Sequence, residues 1–165
     1  MGFDYEDSIK TMGIPLTGSL IGLTTLSGGA VKPIVWDQSF SVGVRKMDEQ
    51  HREIIKMINY LIENSGRSAD FEPVAEVLSR MTRYANYHFK AEERLMVEYG
   101  YSDEGAQEKE HTEFKKRTAS FCFESMGRET TIATEVLAYL RDWWMSHILE
   151  SDMKYKAFFA GKGLD

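Results

Sequence analysis

The sequence holds a single cysteine, Cys122, among 165 residues. No disulfide framework can form within the chain, and a cysteine-based zinc site is excluded with it. One free thiol fits a reducing compartment, so a cytoplasmic location is expected. Positive charge is in the minority: 20 Lys and Arg face 26 Asp and Glu, for a net charge of −6. The basic residues form no cluster, which argues against nucleic acid and anionic membranes as partners. A convincing transmembrane run is lacking as well. The uncharged stretch at residues 11–31, TMGIPLTGSLIGLTTLSGGAV, has about the 20 residues a bilayer demands, but five glycines, one proline and six Ser/Thr dilute it. A secretory signal would need a basic start, whereas MGFDYEDSIK is net acidic. Alternating β-type runs and internal repeats are also missing.

What remains is helical. In VRKMDEQHREIIKMINYLIEN (residues 44–64) Met47, Ile54, Ile55, Ile58, Leu61 and Ile62 recur at the steps of one helix face. Asn64-Ser65-Gly66 breaks it. A second helix is predicted over about residues 72–98, with Asp70 as its cap and Pro73 in its first turn. A third covers about 103–125, with Phe114 and Phe121 on its stripe. A fourth covers about 130–159, carrying Val136, Leu140, Trp143, Trp144, Ile148, Tyr155 and Phe159. Four amphipathic helices with short loops predict an all-α, up-down-up-down four-helix bundle over residues 35–165. Residues 1–34 form an irregular N-terminal extension, read as a docking or self-association segment for a protein partner.

The four histidines fall on the predicted inward faces, one per helix. His51 precedes Ile54 and Ile55 by three and four. His88 continues the stripe Leu78–Met81–Ala85, with Glu92 one turn later. His111 precedes Phe114 by three, and His147 follows Trp143 by four. Asp152, five residues after His147, belongs to the flank of the same stripe. One buried histidine is ordinary packing. Four, with two buried acids, are not, because an unpaired buried carboxylate costs several kcal/mol. A pair of metal ions resolves the conflict, since imidazole nitrogen and carboxylate oxygen suit iron, manganese or zinc.

The runs WDQSFSVGVRKMDEQH, HFKAEE, GYSDEGAQEKEHTEF and WWMSHILESDMKY resemble the bacterial hemerythrins across about residues 35–159. That resemblance implies a non-haem di-iron centre with oxo or hydroxo and carboxylate bridges. One iron would be held by His51 and His88, the other by His111 and His147, with Glu92 and Asp152 bridging. It also implies a non-enzymatic protein that binds dioxygen, or another small diatomic ligand, for carriage, storage, scavenging or sensing.

Two positions depart from the family pattern. The third helix of the family carries two histidines spaced HxxxH, and here Gln107 stands at the first. The second iron position thus drops from three imidazoles to two. Gln107 could ligate through its amide oxygen, or Glu108 could swing in, depending on how the helix is rotated. Trp144 stands where the family has leucine in the apolar lining of the ligand pocket, while Phe89 and Ile148 keep that lining apolar. A ferritin-type oxidase is the competing enzymatic class. It needs two Glu-x-x-His motifs, and this chain has one, Glu108–His111. A third reading is an interaction module recruited through the extension, where PLTGSLIGL resembles the short peptides that load cargo into encapsulin shells.

Overall fold

A computed structural model describes residues 31–65, 71–127 and 132–164. The extension before residue 31 and the expected Asp70 cap lie outside these residues. Helices α1 (Arg45–Asn64), α2 (Phe71–Tyr99) and α3 (Glu104–Glu124) are α-helical throughout. The fourth rod is composite: α4 (Ile132–Trp143), a π-helical segment (Trp144–Asp152), and α5 (Met153–Ala160). Among the described residues there is no strand, and the four rods form the expected up-down-up-down bundle. Its interior follows the sequence stripes. Ile54, Ile58, Val77, Met81, Phe114, Phe121, Val136 and Leu140 are all buried in one cluster. A smaller cluster of Val42, Val44, Met47, Met96, Tyr155 and Phe159 closes the other end.

The ends of the helices are set by local chemistry. Gly100 has φ +70, a left-handed conformation that side chains disfavour. Its N–H donates to Val97 O at 3.2 Å and the Tyr101 N–H donates to Met96 O at 2.9 Å, the paired bonds that stop a helix after a glycine. Before α1, Gly43 at φ +80 turns the chain inward. The Asp48 carboxylate then accepts from Val42 N–H at 2.8 Å and the Ser41 hydroxyl at 2.6 Å, tying the entering segment to the first turns of α1. Further upstream, Ile34 N–H donates to Asn59 Oδ1 at 2.7 Å, and Asn59 Nδ2 donates back to Ile34 O at 2.8 Å. The segment reaching α1 is therefore strapped along the bundle, and Trp36 and Phe40 lie edge-on against Trp144 at 6.4 and 5.4 Å.

The π-helical segment sets how His147 and Asp152 stand relative to each other. On an α-helix five residues turn through 500°, leaving the first and last side chains about 140° apart. The wider winding of the π-helix, in which residue i bonds residue i+5, stacks i and i+5 on one face. His147 and Asp152 are so related. The sequence reading placed Asp152 only on the flank of the stripe, and the local winding brings it fully inward.

Candidate metal centre

Between the two apolar clusters lies a band of polar side chains without access to solvent. His51, His88, Glu92, His111 and Asp152 are completely buried, and His147 and Gln107 are nearly so. Each rod contributes: α1 His51, α2 His88 and Glu92 one turn apart, α3 Gln107 and His111 one turn apart, and the π-helical segment His147 and Asp152. The rotation of α3 decides between the two residues the sequence left open. Gln107 faces inward and Glu108 is exposed.

The ligating atoms converge in two overlapping groups. His51, His88, Glu92 and Asp152 each present one atom within 4.8 Å of the others, and so do Glu92, His111 and His147. Asp152 spans both, with Oδ2 3.2 Å from His51 Nε2 and Oδ1 3.3 Å from His147 Nε2. Glu92 Oε2 lies 3.0 Å from His111 Nε2 and 3.8 Å from His88 Nε2. His111 Nε2 and His147 Nε2 are 3.2 Å apart. Two nitrogens bound to one ion at about 2.1 Å lie roughly 3.0–3.4 Å apart, from right-angled to tetrahedral geometry, so this spacing fits a shared ion.

The polar atoms that lack partners identify the group's purpose. His51 Nε2, His88 Nε2, Glu92 Oε2, Gln107 Oε1 and Asp152 Oδ2 are buried without a hydrogen-bond partner, and such atoms in a protein interior demand an explanation. These five belong to the cluster, whereas others left without partners, such as Trp36 Nε1, Trp143 Nε1 and Trp144 Nε1, are N–H donors outside it. A cation among them would satisfy lone pairs that the protein leaves bare, so this donor set fits a metal.

Charge in the cluster is strained accordingly. Burial drives the His51 imidazole down to about 4, and drives His88 well below its ordinary range. Burial also opposes a charge on His111, but the nearby Glu92 and Glu93 carboxylates outweigh it and hold that ring above the usual value. The two acids diverge. Burial pushes Glu92 up, yet the surrounding imidazoles, His88 first, carry it below the carboxylate range. Burial and the neighbouring Glu92 charge push Asp152 well above it. Two carboxylates share one dry space, and without a cation only one is comfortably ionised.

A second layer orients the rings, and the sequence reading missed most of it. His88 Nδ1 donates to Gln50 Oε1 at 2.8 Å, His111 Nδ1 to Glu93 Oε1 at 2.8 Å, and His147 Nδ1 to Glu110 Oε2 at 2.6 Å. Each bond places a proton on Nδ1 and turns Nε2 toward the centre, bare on His88 and paired across 3.2 Å on His111 and His147. A sequence signal existed. Gln50, Glu93 and Glu110 each adjoin a cluster residue in the chain, a position about 100° around the helix that faces the next rod. Tyr155, read only as part of an apolar stripe, donates its hydroxyl to Glu92 Oε1 at 2.6 Å. Aromatic rings press the imidazoles in place: Tyr84 on His88 at 4.6 Å, Phe89 on His111 at 4.0 Å and Trp143 on His147 at 3.9 Å. Phe89, Ile148 and Trp144 are all fully buried. The described ring contacts of Trp144 are with Trp36 and Phe40, and the ring stacked on His147 is that of its neighbour Trp143.

Residues 42–159 match the hemerythrin HHE cation binding domain. The chain belongs to the hemerythrin family. A hemerythrin-like protein of Naegleria gruberi is 33% identical over 124 residues, 75% of this chain and 92% of that protein. A bacteriohemerythrin of Stenotrophomonas maltophilia is 34% identical over 122 residues, 74% of this chain and 78% of that protein. The crystal structure of a mutant hemerythrin superposes with a TM-score of 0.67 at 26% identity, covering 75% of this chain and 95% of that one. Within the matched residues the chain carries a buried His, Glu and Asp cluster that could hold a metal ion. Among the described residues no helix is long and apolar enough to cross a membrane.

Proposed function

We propose that the cluster holds two non-haem iron ions and binds dioxygen, or another small diatomic ligand, reversibly. His51 and His88 serve one ion, His111 and His147 the other, and Glu92 and Asp152 lie between them. The observation that carries this reading is the convergence of buried imidazole nitrogens and carboxylate oxygens in two overlapping groups, with His51 Nε2, His88 Nε2, Glu92 Oε2 and Asp152 Oδ2 left without partners. When bound, ferrous iron supplies the electrons that let a diatomic gas be held reversibly.

The protein's own residues do the rest. Gln50, Glu93 and Glu110 hold the ring protons on the outer nitrogens, leaving the inner nitrogens free to ligate. Gln107 Nε2 donates to Asp152 Oδ1 at 3.0 Å, steadying the carboxylate while its own oxygen stays unpaired and within the cluster. Gln107 thus replaces an imidazole as a weak neutral donor, and each ion is left with two histidines. Phe89, Trp144 and Ile148 supply apolar, proton-poor walls, which favours binding and release over turnover and excludes water. A cytoplasmic site of action fits a chain with one free cysteine.

Iron content and visible absorption of the anaerobically reconstituted protein test the reading. Two irons per chain are expected, with a charge-transfer spectrum that appears in air and disappears on deoxygenation. Iron below one equivalent, or irreversible bleaching in the first cycle, overturns it.

A further inference from the structure

The two proposed metal positions are matched in their imidazoles, two against two, and share both carboxylates. The layer behind those imidazoles is not matched. Behind His111 stands the Glu93 carboxylate at 2.8 Å, and behind His147 the Glu110 carboxylate at 2.6 Å. Glu110 is itself steadied by the Ser151 hydroxyl, which donates to its other oxygen at 3.1 Å. Behind His88 stands only the neutral amide oxygen of Gln50 at 2.8 Å. His51 Nδ1 meets no acceptor among the described residues and is fully buried.

The pattern has a topological origin. Each acceptor comes from the helix that precedes its histidine: α1 serves α2, α2 serves α3, and α3 serves the fourth rod. The fourth rod returns none to α1, so His51 is left without a partner. Charge follows the same direction, from no acceptor through a neutral one to two anionic ones. An anionic acceptor strengthens the ring N–H bond roughly twofold over a neutral one and makes the opposite nitrogen a better donor to a cation. Lys115 Nζ sits 3.9 Å from Glu93 Oε1 and tempers that charge without taking the place of the imidazole.

We infer that the outer hydrogen bonds, not the number of ligating imidazoles, make the two metal positions unequal, and that the His111–His147 position fills first. On this view Glu93 and Glu110 are positioning residues that offset the imidazole missing at Gln107. The inference rests on the cluster being a two-metal site, and the test separates the two ideas.

The full-length chain, freed of metal and carrying 15N-labelled histidine, is titrated with zinc(II) while the imidazole resonances are followed by NMR. Zinc reports ligation without any oxygen chemistry. The His111 and His147 resonances should complete their shifts by the first equivalent, and those of His51 and His88 by the second. Glu93→Gln and Glu110→Gln keep an acceptor but remove its charge, and each should weaken the first site about 10–100-fold, so that filling becomes simultaneous or reversed. Gln50→Glu should strengthen the His88 position and narrow the gap from the other side. Parallel shifts of both pairs in the wild type, or earlier filling of His51 and His88, overturn the inference even if a variant fails to fold. An order that survives both Glu→Gln changes overturns it too. Zinc that moves none of the four rings refutes the metal centre itself, and the inference with it.

Discussion

His147 Nε2 lies 3.3 Å from Asp152 Oδ1 although five residues separate them in the chain. An α-helix would point these side chains to different faces, and the π-helical winding of Trp144–Asp152 points them to the same one. Such winding has poorer packing than an α-helix, so it persists where something gains from it. The metal-free protein should therefore exchange its amide hydrogens faster over residues 144–152 than over the middle of α1. Zinc or iron should slow exchange in that segment, because ligation through His147 and Asp152 ties both of its ends. Hydrogen exchange with mass spectrometry reads this directly, and exchange indifferent to metal would contradict it.

Asp152 costs stability when no cation is present. Its carboxyl is held well above the ordinary range by burial and by Glu92. The folded chain then keeps a proton that the unfolded chain releases, so stability falls as pH rises from the ordinary aspartate range toward the raised value. Asp152→Asn removes that loss. The metal-free variant should melt at a higher temperature than the wild type at pH 7, with the difference closing near pH 4. His51, lowered to about 4, acts in the opposite sense by losing stability as pH falls below about 6.5. It is present in both proteins and acts only below about pH 6.5, so the comparison at pH 7 reads Asp152. The rise in melting temperature on adding metal should shrink in the variant, since an anionic ligand is gone.

Gln107→His restores an imidazole to a buried inward slot. A nitrogen donor beside His111 and His147 should tighten metal binding at that position roughly tenfold or more, about 1.4 kcal/mol. Part of that gain is offset by the lost hydrogen bond from Gln107 to Asp152. Competition against a chelator of known affinity gives the number, and an unchanged constant would place Gln107 away from the metal.

Trp144→Leu leaves a cavity in a packed core. A loss of about 2–4 kcal/mol is expected by chemical denaturation, with the lower end favoured because the indole N–H has no partner to forfeit. If the ring also fills the diatomic-ligand pocket, oxygen association and autoxidation both speed up in stopped-flow mixing. Equal rates with lowered stability would restrict Trp144 to supporting Trp36 and Phe40.

Removing residues 1–32 should leave metal loading intact, because the whole cluster lies between His51 and Asp152. A cut after Phe40 should instead lower the melting temperature. It removes the paired Ile34–Asn59 hydrogen bonds and the aromatic cover over Trp144. Metal content and melting curves of the two truncations distinguish these outcomes.

Apolar periodicity alone was enough to read four helices and an up-down bundle from this chain, because one buried stripe every 3.6 residues admits little else. The same periodicity carried His51, His88, His111 and His147 inward, and the cost of burying Glu92 beside them pointed to a cation. Asp152 was legible only in part, since its inward turn depends on π-helical winding that no residue pattern announces. The choice of Gln107 over Glu108 was not legible either, because two adjacent residues differ by about 100° and only the packing of α3 on its neighbours sets the rotation. Gln50, Glu93, Glu110 and the Tyr155 hydroxyl lie further from view. Each acts on a residue 37 or more positions away, or 18 in the case of Glu93 and His111. Sequence settles which face of its own helix a residue occupies, but contacts between helices exist only once the helices are packed together.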